Sequence, residues 1–213
     1  TPKPSSAASD VYKRQPLHTV VVVDGIYAFK HLGQTITGTD VKGDCPFRVR
    51  IHAYAGHAML RVEHFFYYEG DGDHDFVRTL SLRSPLPQGE GAIRFVDERT
   101  VTTAEAPMAG LYQQNADSFH VWNSSAAGGN KAAKVTATGS RFNGVMDVRT
   151  GDVAMAVGVR DFWQNAAKSL HADLSGRELR INLWAPEAPP LDFRRHAREW
   201  SVGEAGTPND LSL

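Results

Sequence analysis

The stretch Asp152–Arg195, DVAMAVGVRDFWQNAAKSLHADLSGRELRINLWAPEAPPLDFRR, decides how this chain is read. Val153, Met155, Val157 and Val159 alternate with Ala154, Ala156, Gly158 and Arg160. That is the two-residue period of a β-strand, with a second face that is small and then abruptly charged. Leu179, Ile181 and Leu183 alternate in the same way with Arg180, Asn182 and Trp184. One face of that strand suits a core; the other carries a cation, an amide and an indole. If the two strands share a sheet, those polar faces line one groove. Helical periodicity is scarce: Phe162–Leu170 suits one short helix, and Leu191–Val202 opens a second.

Working outward, the same period recurs along the chain. From His18 to Phe29 a β-branched run, TVVVV, meets Asp24-Gly25, a hairpin-type turn signal. Lys30–Pro46, rich in Gly, Thr and Asp, reads as a strand edge plus loop. The best hairpin follows. Phe47, Val49, Ile51 and Ala53 form one face, Ala55-Gly56-His57 turns the chain, and Leu60, Val62, His64 and Phe66 return on the same face. Phe76–Leu82 is a further strand, ended by Pro85 and Pro87. Shorter strands are expected at Ile93–Val96, Thr100–Thr103, Phe119–Trp122 and Ala133–Thr138, between Gly-, Ser- and Asn-rich turns. The fold class expected is all-β: a large antiparallel two-sheet β-sandwich with one or two short helices.

A length of 213 residues suits one domain with a sizeable core. With 23 Lys and Arg against 24 Asp and Glu, the net charge of −1 points to neither a nucleic-acid partner nor an anionic membrane surface. No window approaches the ~18 apolar residues of a membrane span. The single cysteine, Cys45, excludes an intrachain disulfide and a Cys-rich metal site but leaves the compartment open. Residues 5–15, SSAASDVYKRQ, resemble the in-frame translation of a sequencing-library adapter. Thr1–Gln15 is therefore set apart as a segment expected not to pack. The sandwich is expected over 16–195, and 196–213 is expected to open a linker.

Three tracts carry a family resemblance. VRIHAYAGHAMLRVEHFFYYEGDGDHDFVRTLSL (49–82), GLYQQNADSFHVW (110–122) and MAVGVRDFWQNAAKSLHADLSGRELRINLWAPEAPPLDFRR (155–195) resemble the central β-sandwich of the exo-acting rhamnogalacturonan lyase family, also called YetA-like. The resemblance implies β-elimination of galacturonate-rhamnose linkages in a pectin polysaccharide or its oligosaccharides. It also implies two partner domains of the same chain, an N-terminal β-barrel and a C-terminal α/α-toroid, so that 213 residues alone would be inactive. The chain departs from the family pattern after Phe162-Trp163-Gln164, where Asn165-Ala166-Ala167 stands in place of a proline-containing turn.

β-Elimination of a uronate needs its carboxylate neutralised, a base for the C5 proton, and a proton for the leaving oxygen. Arginine suits the first role because guanidinium pairs bidentately with carboxylate, and calcium can serve as a Lewis acid in the parent enzyme. Arg160, at a strand end, is the candidate neutraliser, with Trp163 as a sugar platform and Gln164 as a hydroxyl reader. The alternative pairs Arg160 with Asp161 and makes Trp163 core. Arg180, Asn182 and Trp184 form a saccharide-like face that a solvated outer face would equally produce. His64 is a candidate base, or a hydrogen-bonded core histidine. Tyr67 is a candidate acid. No metal triad stands at recognisable spacing, and the acids Asp71, Asp73 and Asp75 miss the EF-hand pattern at Phe76 and Leu82. The competing function is a carbohydrate-binding or structural sandwich without chemistry of its own.

Overall fold

The computed structural model describes residues 10–15, 18–27, 30–31, 34–35, 45–68, 76–98, 100–104, 106–125 and 133–192. They form two compact units, Thr1–Asp75 and Phe76–Leu213. The first unit holds β1 (Asp10–Gln15), β2 (His18–Ile26), the short pair β3 (Lys30–His31) and β4 (Gln34–Thr35), β5 (Pro46–Tyr54) and β6 (Leu60–Phe66). β1, β2, β5 and β6 lie side by side in that order as one antiparallel sheet. The expected hairpin is present in register, with Phe47 opposite Phe66, Val49 opposite His64 and Ile51 opposite Val62.

Two expectations change in this unit. Asp10–Gln15 is a strand paired with β2, so the segment set apart as unpacked joins the sheet over its second half. Asp24-Gly25 does not turn the chain; β2 runs straight through it to Ile26. The glycine serves close approach instead, since a Cβ there would meet the Phe47 ring at 2.6 Å. The Asp71, Asp73 and Asp75 loop lies outside the described residues.

The second unit is the sandwich. Its strands are β7 (Leu80–Pro85), β8 (Gly91–Val96), β9 (Val101–Ala104), β10 (Met108–Asn115), β11 (Ser118–Ser124), β12 (Lys134–Gly139), β13 (Val145–Thr150), β14 (Val153–Gly158), β15 (Lys168–Asp173) and β16 (Glu178–Trp184). One sheet has six strands in the order β12-β11-β10-β15-β16-β7; the other has four, β14-β13-β8-β9. Ile93, Phe95, Met146 and Val148 from the smaller sheet form one core with Leu111, Val121, Leu170 and Leu179 from the larger, joined by Phe142 and Phe162. Each fully buried large side chain contributes about 1.5–3 kcal/mol. Gln113, fully buried beside this core, is satisfied throughout. Its amide nitrogen donates to the carbonyls of Asn115, Ser118 and Ser140, and its oxygen accepts from the Phe142 amide.

No helix is present among the described residues. Where Phe162–Leu170 suggests a helix, Asp161–Asn165 form turns and β15 begins at Lys168. Lys168, Leu170 and Ala172 all point to buried surroundings, and the charged first member hides the strand period. Of the second expected helix, Leu191–Val202, Leu191 forms an antiparallel bridge with Val77, and the residues after Asp192 lie outside the described residues. The two opening strands do not share a sheet either: β14 edges the smaller sheet and β16 lies within the larger. The single groove that their polar faces were expected to line is therefore not formed.

Candidate functional site

The larger sheet has a second face, opposite the core, and its register assembles an unusual set of side chains there. Gly110 and Tyr112 on β10 stand beside Trp122 and His120 on β11 and beside His171 and Ser169 on β15. Ser169 and His171 in turn stand beside Asn182 and Arg180 on β16, which stand beside Ser81 and Arg83 on β7. A Cβ at Gly110 would collide with the Trp122 indole, so the glycine is what lets that ring lie flat on the sheet. The His171 ring meets Trp122 edge-on at 5.1 Å, and His120 meets Tyr112 in the same manner at 5.3 Å.

The segment Ala185–Leu191 is strapped over this face. The Ala185 amide donates to Ala167 O, Arg78 Nη1 donates to Ala188 O, and Leu191 exchanges backbone hydrogen bonds with Val77. Ala185, Ala188, Tyr112 and Ala167 form a small buried cluster with Trp184 packed against it. The strap delivers Glu187, which completes a continuous hydrogen-bonded chain. Ser81 Oγ donates to Asn182 Oδ1 at 2.6 Å, and Asn182 Nδ2 donates to Ser169 Oγ at 2.8 Å. Ser169 Oγ donates to Glu187 Oε2 at 3.1 Å, and His171 Nε2 lies 2.6 Å from Glu187 Oε1.

Burial pushes the Glu187 carboxyl up, but the His171 hydrogen bond and charge, with the Ser169 bond, bring it below the usual carboxylate range. Glu187 is therefore an anion that accepts, and His171 Nε2 carries the shared proton. That arrangement fixes Nε2 as the donor to Glu187 and leaves Nδ1 as the second ring nitrogen. Both side chains are 12% exposed, close enough to the surface to meet a ligand at its edge. Burial and the Glu187 charge raise the Tyr112 phenol, so it stays protonated and able to donate. An oriented imidazole and a protonated phenol are groups able to move protons.

The candidates named from sequence divide among three places. Asn182 belongs to the chain just described and is buried, at 2% exposed. Trp184 closes the strap, its Nε1 donating to Pro189 O. Arg180 pairs with Glu178, whose other oxygen lies 3.6 Å from Arg83. Arg160, Trp163 and Gln164 sit together on the turn after β14. Arg160 is 87% exposed and pairs with Asp161 at 3.3 Å, the alternative foreseen for it. Trp163 is half-buried, with the Arg141 guanidinium 4.4 Å over its ring, and Gln164 is exposed. Below this turn Lys168 is buried, its Nζ donating to Asn165 O at 2.7 Å; desolvation lowers it to about 8.

His64 and Tyr67 lie in the first unit on opposite faces of its sheet. His64 Nε2 is 2.5 Å from the Tyr27 hydroxyl among the rings of Phe47 and Phe66, and burial lowers its pKa. The same burial raises Tyr27 to about 12. This is the hydrogen-bonded histidine of an aromatic cluster. Tyr67 faces an open groove with Arg48 and Phe65. The two cannot serve one reacting centre as base and acid.

Tyr112, His120, Trp122, His171, Ser169 and Glu187 escape a reading by sequence alone. β10 is buried on both faces from Ala109 to Gln113, so no alternation marks it. Glu187 lies on a proline-flanked loop with no period at all. A histidine, a serine and an asparagine at alternating positions on neighbouring strands were the signal available.

The geometry is that of an all-β antiparallel sandwich with a hydrogen-bonded polar face opposite its core. A family model, the PcRGLX-like protein central beta sandwich domain, matches residues 6–107 and 108–204. The chain belongs to that family, which is rhamnogalacturonan lyase-like. Comparison with curated proteins finds no match. Among the described residues no group of three or more His, Cys, Asp or Glu side chains is placed to hold a metal ion. No helix among them is long and apolar enough to cross a membrane.

Proposed function

We propose that this chain is the central sandwich of a polysaccharide lyase that cleaves rhamnogalacturonan by β-elimination, and that it supplies one wall of the cleft. The observation that supports it most is the Ser81–Asn182–Ser169–Glu187–His171 chain on the face opposite the core of a lyase-family sandwich. On this reading the substrate is a pectin polysaccharide or oligosaccharide. His171, oriented by Glu187, handles a proton, and Tyr112 or His120 donates to an oxygen. Arg160, the exposed arginine of the β14 turn, exchanges its Asp161 contact for the uronate carboxylate. A β-barrel before this domain and an α/α-toroid after it would provide the remaining walls. The test is the rise in ultraviolet absorbance from unsaturated uronate when the parent protein meets rhamnogalacturonan. A His171→Ala variant that keeps its fold is expected to lose at least a hundredfold in rate. No rise with the unaltered protein overturns the reading.

A second reading, a sandwich that binds saccharide or merely supports its neighbours, is favoured by one observation. Asn182 and Ser169 are already satisfied by protein groups and covered by the strap. Full turnover in the His171→Ala parent protein would favour it.

A further inference from the structure

The sheet of the first unit also has two faces. Val21, Val23, Val49, Ile51 and Val62 stand on one; Asp24, Arg48, Arg50, His52, Glu63 and Phe65 stand on the other. At one end of the second face lies a groove of about 440 Å³ lined by Asp24, Arg48, Arg50, Phe65 and Tyr67. That volume is within the range of small-ligand sites, roughly 300–1,000 Å³.

The groove's charges are arranged unequally. Arg48 grips Asp24 with two hydrogen bonds, of 2.6 and 2.9 Å, so that pair is spent on itself and stiffens the wall. Arg50 is placed but under-used. Its guanidinium stands 5.3 Å over the Phe65 ring, and its contact with Glu63 is a long 4.0 Å. Glu63 is also met more closely by Arg61, at 2.6 Å, and by His52, at 3.4 Å. Among the described residues three arginines therefore face two carboxylates, and Arg50, which also lies within the field of Asp24, makes the longest ion-pair contact of the three. Beside it, Phe65 is 42% and Tyr67 is 67% exposed, two rings at alternate positions on one side of the chain. A ligand that answers both features has an apolar ring face and one carboxylate.

We propose that this groove is a binding site for an acidic saccharide, with the uronate carboxylate on Arg50 and the sugar face on Tyr67 and Phe65. The choice of sugar rests on the function proposed above; the site is separate from the His171–Glu187 face. It is an auxiliary grip on the polymer, not a reacting centre. Being shallow and open, it binds in the millimolar range.

The test is an amide chemical-shift titration of the whole 213-residue chain with digalacturonate, and with free rhamnose as the neutral control. Digalacturonate is expected to move the amides of Arg48–Arg50 and Phe65–Tyr67, and rhamnose to leave them in place. Arg50→Gln, at a half-buried position, and Tyr67→Ala, at an exposed one, are each expected to weaken binding at least threefold without shifting the rest of the spectrum. Unchanged affinity in both variants overturns the proposal. Shifts confined to residues of the second unit overturn the groove but leave the uronate reading standing. Equal response to rhamnose, or response to inorganic phosphate with none to digalacturonate, overturns the ligand class.

Discussion

Asn182 shows how much one amide can hold. It bridges Ser81 and Ser169 while fully enclosed, so Asn182→Ala removes one hydrogen bond from each, leaving Ser169 its bond to Glu187 and the half-buried Ser81 its contact with Thr79. The expected cost is about 1–3 kcal/mol, read as a drop in the urea midpoint with an unchanged slope. Lys168 sets the opposite case. Folded, it releases its proton near 8, against 10.5 for the ordinary side chain. Between those values the unfolded chain binds more protons, so stability rises with pH across that window, and the cost of burying the ammonium is greatest below it. Lys168→Met is therefore expected to be more stable than the natural chain at neutral pH, by roughly 1–2 kcal/mol, with the gap closing towards the upper value. Thermal unfolding at the two ends of the window measures it, and a gap independent of pH would show that burial of charge is not the cause. Arg180, Asn182 and Trp184 are legible in sequence because they alternate with leucine and isoleucine on one strand. Their partners are not. Ser169 and His171 share a strand with the buried Lys168, whose charge breaks the pattern.

At the scale of elements, Glu187 ties the strap Ala185–Leu191 to His171 and Ser169 of the sheet, while the Arg78 guanidinium holds Ala188 O. Glu187 is depressed below the usual carboxylate range, so its contribution is present above that range and is lost as pH falls through the folded value. Glu187→Ala is expected to speed exchange of the Ala185 and Ala188 amides by roughly tenfold, for a loss of about 1.4 kcal/mol, while β10 stays protected. Exchange that stays slow would mean that the Val77 and Arg78 contacts hold the strap unaided. Sequence pattern located the β5–β6 hairpin to within a residue, because that sheet keeps one apolar and one polar face. It passed over β10, where both faces are covered, and β13, whose Met146 and Val148 are separated by the charged Asp147. It also took β15 for a helix, since Phe162 and Leu170 are both buried but belong to a turn and a strand.

At the scale of the molecule, the two units differ in how their apolar groups are used. The second encloses a continuous core from both sheets, whereas among the described residues of the first only Cys45 is buried. Native-state hydrogen exchange is expected to find the slowest amides in β10, β11 and β15, and none of comparable protection in β2, β5 or β6. Equal protection in both units would contradict this ordering. The all-β class follows from period alone and needs no long-range information. The division at Asp75 does not, because the acidic run before Phe76 reads as an ordinary hairpin tip between two strands.

The Trp122 ring, flat on Gly110 and edge-on to His171, makes the molecule its own optical gauge. An imidazole in contact with an excited indole can quench it, so the His171 ring is expected to hold the Trp122 emission low without any change of fold. The difference in fluorescence between the natural chain and His171→Asn would isolate that signal from the other tryptophans. A ligand that settles on His171 would then announce itself by colour and brightness before any product is made.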